Sequence, residues 1–305
     1  MYYFIINPQS KTGQGIHIWN QVKAALDSSF VTYKFSYTQY RGHARTLARD
    51  FSKHMKQGDI LTVIGGDGSV NEALNGIALS EQITLGYIPT GSGNDFARGM
   101  HIPTDTKAAI DLLLNPVHTQ MLDVGVVKQG SHFRKFGVSS GIGFDAGICH
   151  KALKSTLKKL LNKLKLGKLT YALLAIQLLI RFKPCPMDIA LDDGQNIHFD
   201  KVFFATAFTQ PFEGGGLMLA PDAKSDDGYF DILIAEGIPK LKILMVLPMA
   251  FWGKHVNFHG VHLYKSKRCC ITSSEIMPIH MDGESGGRHQ QLQCYIEGQL
   301  KVITL

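Results

Sequence analysis

The chain has 305 residues, of which 45% are hydrophobic and 19% are charged, and its formal net charge is +7. This length exceeds the usual single domain, and the composition is that of a globular protein with an ordinary apolar core. A basic balance fits an anionic membrane surface or a phosphorylated substrate. The sequence has no zinc-finger or RNA-recognition signature and no run of five like charges, so we expect no nucleic-acid partner.

Cysteine usage and hydropathy predict a cytoplasmic protein. The five cysteines are odd in number and form no CxxC motif, which indicates free thiols in a reducing compartment. The N-terminal segment reads as a strand instead of a signal peptide. The longest apolar stretch, Leu169–Ile180, is too short to cross a bilayer.

The first third of the chain alternates strand-like and helix-like segments. Predicted strands are Tyr2–Ile6, Tyr33–Tyr37, Ile60–Ile64 and Leu85–Ile88, and predicted helices are Ile16–Ser29, Gly42–Lys56, Ser69–Ala78 and Asn94–Met100. This alternation predicts an α/β domain with a parallel sheet and helices on both faces.

Beyond about residue 115 the pattern changes to a series of strands. They are predicted at Met121–Lys128, Phe133–Ser139, Met187–Leu191, Ile197–Thr209, Tyr229–Ala235, Val261–Tyr264, Arg268–Thr272, Ile276–Met281 and Gln291–Glu297. The series predicts a mainly antiparallel β-sandwich. We therefore expect an α/β domain over residues 1–118 and a sandwich domain with inserted helices over 119–297. The apolar segment 298–305 is expected to return to the first domain as an edge strand.

Two helical stretches interrupt the predicted sandwich. Residues 151–168 place leucines at helical spacing with lysines over the rest of the circumference, and residues 169–182 are more apolar. Such a helix either packs on the sandwich with a solvated lysine face or touches an anionic membrane, and both can hold at once.

The strongest local signal is the glycine-rich turn Gly65–Gly68, which follows a buried strand and opens a helix. Glycines let the backbone approach phosphate oxygens, and the helix N-terminus supplies unpaired N–H groups. Asp67 within the turn can hold Mg²⁺ or its water, or it can simply cap the helix. A second cluster, Pro89–Arg98, follows the next strand, and the loop Asn7–Gly15 ends a third strand at the same edge. Open α/β sheets bind ligands at this edge.

Two acidic turns lie further along the chain. In Asp282–Glu284 two carboxylates flank a glycine, an arrangement that suits proton abstraction from an alcohol but also suits a solvated hairpin turn. The segment Lys224–Tyr229 can bind a hard cation through carboxylate and backbone oxygens, or it can be a plain turn.

Taken in order, these segments closely resemble the diacylglycerol kinase catalytic-domain family, which includes bacterial lipid kinases and is related to sphingosine kinases. The resemblance runs over nearly the whole chain. It implies a lipid kinase that uses ATP and Mg²⁺, binds nucleotide in a cleft between the two domains, and meets its lipid acceptor at the membrane surface.

The resemblance also implies roles for individual residues. Glu284 would be the general base, with Asp67 and Asp282 in the magnesium and water network. Lys224, Asp227 and Tyr229 would hold a structural magnesium. The ATP site would comprise Asn7, Pro8, Gln9, Ser10, Lys11, Thr38, Gly65, Gly66, Asp67, Gly68, Ser69, Asn71, Glu72, Gly91, Ser92, Asn94 and Asp95.

Departures and alternatives remain at this point. Lys11 stands where the family usually has glycine, which leaves the geometry of the first loop open. The alternatives are an NAD kinase-like enzyme, which would share the Gly65–Gly68 turn, and a catalytically silent lipid-binding regulator on the same scaffold. The sequence leaves open the lipid acceptor, its acyl chains and whether a homodimer forms.

Overall fold

A computed structural model of the chain describes residues 1–79, 83–154 and 176–305. The chain divides into two compact units: Met1–Val124 with Gly298–Leu305, and Gly125–Glu297. Of the helices predicted over 151–182, residues 155–175 lie outside the described part. Among the described residues, no helix has the length and apolar character needed to span a bilayer.

The first unit alternates strands and helices. In chain order its elements are β1 (Tyr2–Ile6), α1 (Ser10–Gly13), α2 (Gly15–Ser28), β2 (Tyr33–Tyr37), α3 (His43–Ser52), β3 (Ile60–Gly65), α4 (Asp67–Leu74), β4 (Thr84–Pro89), α5 (Asp95–Gly99) and α6 (Thr106–Leu114). The chain leaves this unit within β5 (His118–Gln129) and returns within β15 (Glu284–Thr304).

Four strands of the first unit pair in parallel in the order β2-β1-β3-β4. The end of β15 adds in parallel beside β4 through Lys301 and Val302, and β5 pairs with β15. β1, β3 and β4 are buried almost completely and read as continuous apolar runs, as expected for strands covered on both faces. On one face, Phe4, Trp19 and Leu26 pack in a core to which Ile303 of β15 also belongs.

The second unit is built mainly from antiparallel strands. Its elements after β5 are β6 (His132–Phe136), β7 (Ser139–Gly143), α7 (Phe144–Lys154), β8 (Cys185–Leu191), β9 (Asn196–Phe208), β10 (Phe212–Glu213), β11 (Leu217–Met218), β12 (Phe230–Glu236), α8 (Lys240–Val246), β13 (Val261–Ser266) and β14 (Arg268–Met281). Two 3-10 helices, Leu247–Trp252 and Lys254–Asn257, lie between α8 and β13. Residues 176–181 are also helical.

Long strands organise the second unit. β9 and β14 each pair with β7 at one end and with β8 at the other, while β12 and β13 continue from β9. A large apolar core lies between the strands and includes Phe136, Ile142, Met187, Phe230 and Ile279.

The predicted fold class, an α/β domain with a parallel sheet followed by an antiparallel β-sandwich, is confirmed. Boundaries differ in several places. β14 and β15 are each one long strand where the sequence suggested two segments. Their pairing shifts register between Thr272 and Met277 and again between Pro278 and His280. Helix α6 was missed, and α7 begins at Phe144, ahead of the predicted helix.

Candidate functional site

In the first unit, three of the predicted loops lie together at one edge of the sheet. β1, β3 and β4 are neighbouring parallel strands, so the loops after them emerge side by side. The Asn7 side chain donates to the Ser69 hydroxyl at 3.3 Å, and the Thr90 N–H donates to the Gly65 carbonyl at 2.8 Å. The sequence-predicted nucleotide residues of these loops therefore form one connected group.

Glycine is required where two of these loops meet. A Cβ on Gly66 would lie 3.2 Å from the Gly91 Cα, and one on Gly91 would lie 3.0 Å from the Gly66 Cα. At Gly65 a Cβ would come within 2.5 Å of the Ser69 side chain. The absence of side chains at these positions lets backbone amides face a ligand at close range.

Asp67 is the electrostatic centre of this group. The Phe96 N–H donates to its carboxylate at 3.2 Å. Burial, and next the negative charge of Asp95, raise the pKa of Asp67 to about 6, although backbone N–H groups oppose that shift. Asp95 itself is paired with Arg98 at 2.9 Å. A cation bound at this position would offset the negative charge of Asp95 and favour the ionised form of Asp67. The Asp67 carboxylate therefore fits the role of a Mg²⁺ ligand.

The other residues that the sequence predicts to bind nucleotide take more varied positions. Ser10 donates to the Asn7 carbonyl at 2.8 Å, and the Thr38 N–H donates to the Ile6 carbonyl at 2.8 Å, which places Thr38 beside the end of β1. Lys11 has φ +50°, the left-handed conformation that glycine adopts most easily. Lys11 therefore adopts a backbone conformation that glycine would adopt without strain.

Glu72 has a clear structural role. Its carboxylate accepts the N–H groups of Gly42 at 2.8 Å and Ala44 at 3.3 Å, at the N-terminus of α3. This contact holds α3 against α4 and satisfies helix N–H groups. These contacts favour a structural role for Glu72, in which it supports the site, over direct contact with nucleotide.

Two polar residues of the first unit were not selected from the sequence. Thr90 is buried, and among the described residues its hydroxyl has no hydrogen-bond partner, so a ligand at the Gly91 loop could supply one. Asp123 is fully buried and accepts from the Gln299 amide at 2.8 Å. A buried acid within an apolar strand was the available signal for Asp123.

In the second unit, the turn that carries Glu284 is held by its own aspartate. The Asp282 carboxylate accepts three backbone N–H groups, from Gly137 at 2.9 Å, Val138 at 2.8 Å and Ser139 at 3.1 Å. Asp282 has φ +48°, and its own N–H donates to the Ser139 carbonyl at 2.8 Å. These contacts favour a positioning role for Asp282, because they already use both of its carboxylate oxygens.

A buried histidine contacts the same turn. His280 lies with Nε2 at 3.1 Å from Asp145 and 3.4 Å from Glu213, and its Nδ1 accepts the Gly283 N–H at 3.3 Å. Burial disfavours its charged form, but the carboxylates of Glu213 and Asp145 outweigh burial and raise the pKa of His280 to about 9. Protonation at Nδ1 would cost the Gly283 hydrogen bond, because a protonated Nδ1 can no longer accept the Gly283 N–H. The sequence reasoning missed this network because its members are far apart along the chain.

The proposed structural magnesium site contains a lysine. Asp227 accepts the Tyr229 N–H at 3.0 Å, and its other oxygen lies 2.6 Å from the Lys265 ammonium. Lys265 is also 3.8 Å from Asp231. In this arrangement the Lys265 ammonium, in place of a metal ion, balances the charge of the Asp227 carboxylate.

Family models match both parts of the chain. Residues 1–127 match the diacylglycerol kinase catalytic domain, and residues 141–304 match the YegS C-terminal NAD kinase beta sandwich-like domain.

Similar proteins agree with these matches. A Bacillus subtilis protein named as a candidate lipid kinase is 33% identical, with 94% of each chain covered. The diacylglycerol kinase of the same organism is 33% identical, with 84% of each chain covered.

Among solved structures, one described as a candidate diacylglycerol kinase from Bacillus anthracis matches with a TM-score of 0.79 and 25% identity, covering 100% of this chain and 97% of the other. An NAD kinase from Archaeoglobus fulgidus shares the fold alone, with a TM-score of 0.52 and 11% identity, covering 100% and 94%. On the family matches and the whole-length relatives together, the chain belongs to the diacylglycerol kinase family of lipid kinases.

Proposed function

We propose that the protein transfers the γ-phosphoryl group of ATP to the hydroxyl group of diacylglycerol or a closely related lipid. The observation that carries this proposal is the meeting of the glycine loops of β3 and β4 at Gly66 and Gly91, with the Asp67 carboxylate beside them. Backbone amides and one buried acid in this arrangement suit a triphosphate and its metal. The names of the relatives support diacylglycerol as the acceptor.

In this proposal the first unit binds the nucleotide. The amides of the two loops hydrogen-bond phosphate oxygens, and the hydroxyl groups of Ser69, Thr90 and Ser92 contribute further donors. Asp67 would hold Mg²⁺, which when bound neutralises phosphate charge during transfer. Phosphoryl transfer depends chiefly on positioning and electrostatic stabilisation, and a rigid amide cradle supplies both.

The second unit supplies the proton acceptor. Glu284 takes the proton of the lipid hydroxyl while the hydroxyl oxygen forms a bond to the γ-phosphorus. The bond between that phosphorus and the β–γ bridging oxygen breaks, and ADP leaves with the bridging oxygen. Asp282 and His280 hold the turn, and this keeps Glu284 in its orientation. Asp282 and His280 themselves do not touch the reacting atoms.

The test is phosphorylation of a panel of acceptors with γ-labelled ATP. The panel contains diacylglycerol, monoacylglycerol, a sphingoid base, a polyprenol and NAD. We expect labelled phosphatidic acid as the main product. Labelled NADP without a labelled lipid would refute the proposal.

The matched variant is Glu284→Gln, which keeps the size of the side chain and one acceptor oxygen but cannot accept the proton. We expect its turnover to fall by at least about a hundredfold, the usual contribution of general-base catalysis. Nucleotide affinity, measured by calorimetry, should stay close to that of the wild type. Unchanged turnover would remove Glu284 from this role.

A further inference from the structure

A short segment of the second unit is apolar around its whole circumference. Residues 241–252 form most of α8 and the following 3-10 helix, and Lys242 is the one charged residue among these twelve. A helical segment of this kind is typically buried on all sides or associated with a membrane.

The inner side of this segment accounts for only part of its apolar character. Ile243, Val246, Leu247 and Ala250 face an apolar cavity of about 90 Å³, partly open to solvent, whose other walls include Phe144 and Phe203. These contacts fix the segment on the sandwich. They do not require large apolar side chains on the opposite side.

The outer side nevertheless exposes large apolar side chains. Leu241 is 75% exposed, Met245 is 70% exposed and Trp252 is 70% exposed, with Phe251 also open to solvent. Ile180 is exposed as well, and its carbonyl accepts from Lys240 at 2.9 Å, which ties residues 176–181 to the start of α8. Several large apolar side chains exposed on one short segment mark an interaction surface.

The charge around the apolar group is of one sign. Residues 237–260 contain three lysines, Lys240, Lys242 and Lys254, and no acidic residue. Residues 176–183 add Arg181 and Lys183, which line a second cavity together with Lys151 and Arg288. Basic side chains around exposed Leu, Met and Trp complement the interface of a bilayer that contains anionic lipids. Tryptophan also favours the headgroup level.

We propose that residues 240–252 dock the protein on an anionic phospholipid bilayer, with Leu241, Met245 and Trp252 inserted among the headgroups and the lysines beside them. Docking brings a bilayer-resident acceptor within reach, and in that respect it deepens the proposed function. The docking itself requires neither ATP nor transfer.

Tryptophan fluorescence tests the proposal directly, because the chain has two tryptophans. Trp19 is fully buried in the first unit, so a change on adding vesicles reports Trp252. Vesicles of phosphatidylcholine with phosphatidylglycerol, added to the full chain without ATP, should shift its emission to shorter wavelength. An unchanged spectrum in the presence of these vesicles would overturn the proposal.

Vesicle sedimentation then separates the apolar and charged contributions. Combining Leu241→Ser with Trp252→Ser should weaken binding at least tenfold. Combining Lys242→Gln with Lys254→Gln should weaken binding to anionic vesicles by about 25-fold, since each lysine near such a surface contributes about fivefold. The control is Phe30→Ser, at a site 95% exposed in the first unit, which should bind as the wild type does.

Three further outcomes bear on the proposals. If light scattering shows that the Leu241/Trp252 variant dissociates a wild-type dimer, the surface is a contact between copies and the docking proposal is wrong. Turnover on a water-dispersed short-chain diacylglycerol should be the same in the docking variants and the wild type. Lack of any kinase activity alongside intact vesicle binding would overturn the proposed function and leave docking standing.

Discussion

Replacing Asp282 with asparagine tests whether this residue positions the Glu284 turn or binds metal. In the wild type one carboxylate oxygen accepts from Val138 and Ser139, and the other accepts from Gly137. Asparagine keeps one acceptor oxygen but places an NH₂ group against the remaining N–H. The substitution therefore removes the charge and one hydrogen bond while hardly changing the volume of the side chain.

The expected cost follows from these contacts. A hydrogen bond to a charged group contributes about 1.5–3 kcal/mol, so the variant should lose about 2–3 kcal/mol in the free energy of unfolding. For a unit of this size that corresponds to a decrease of about 5–10 °C in Tm. Turnover should fall by about a hundredfold, because Glu284 lies two residues away and a small displacement of a catalytic group has that effect.

Thermal unfolding and steady-state kinetics measure the two effects, with Glu284→Gln as the matched control. The control should lose turnover and unfold at the wild-type temperature, because it leaves the Asp282 contacts intact. The positioning role would be refuted if Asp282→Asn unfolded at the wild-type temperature and instead required more Mg²⁺ for turnover. That result would make Asp282 a metal ligand.

Three other substitutions give separate tests. The pKa of Asp67 in the folded protein, about 6, lies above its ordinary value, so its ionised form opposes folding and stability falls as pH rises through about 6. Asp67→Asn should therefore raise unfolding stability at pH 7.5 by about 2 kcal/mol relative to wild type, little at pH 4, while abolishing turnover. Lys265→Met removes the cation beside Asp227, so Mg²⁺ should raise the Tm of this variant but not that of the wild type, both without nucleotide. Lys11→Gly relieves a left-handed backbone that costs about 1–2 kcal/mol, and should leave Tm equal or higher.

Each of these has a contradicting outcome. Equal denaturation curves for wild type and Asp67→Asn at both pH values would show that Asp67 is not held in an unfavourable ionised state. A wild-type Tm that rises with Mg²⁺ in the absence of ATP would show that the Asp227 loop binds a metal ion despite Lys265. A Tm of Lys11→Gly below that of the wild type would show that the left-handed backbone at Lys11 is not strained.

The loops after β1, β3 and β4 could be predicted from the sequence because each is a local pattern. A buried strand, a few glycines and a helix start lie within about ten residues of one another, and parallel pairing then brings the loops to one edge. Gly66 and Gly91 are 25 positions apart in the sequence. They become neighbours because β3 and β4, which precede them, pair in parallel.

The supports of the site could not be predicted in the same way. His280 lies on β14, Asp145 on α7 and Glu213 on β10, and only long-range pairing of β7 with β14 brings the first two together. Lys265 was missed for a similar reason, since it reaches Asp227 through the pairing of β12 with β13. Composition near each residue carries no signal of such contacts.

The return of the chain in β15 has a practical consequence for dissecting the protein. A fragment ending at Val124 would lack the strand beside β4 and would leave an apolar edge open to self-association. Asp123 and Gln299 are joined by a side-chain hydrogen bond, so the two cut ends lie near each other. A short linker from Val124 to Gly298 should therefore yield a self-contained nucleotide-binding module, with the whole sandwich treated as an excisable insertion.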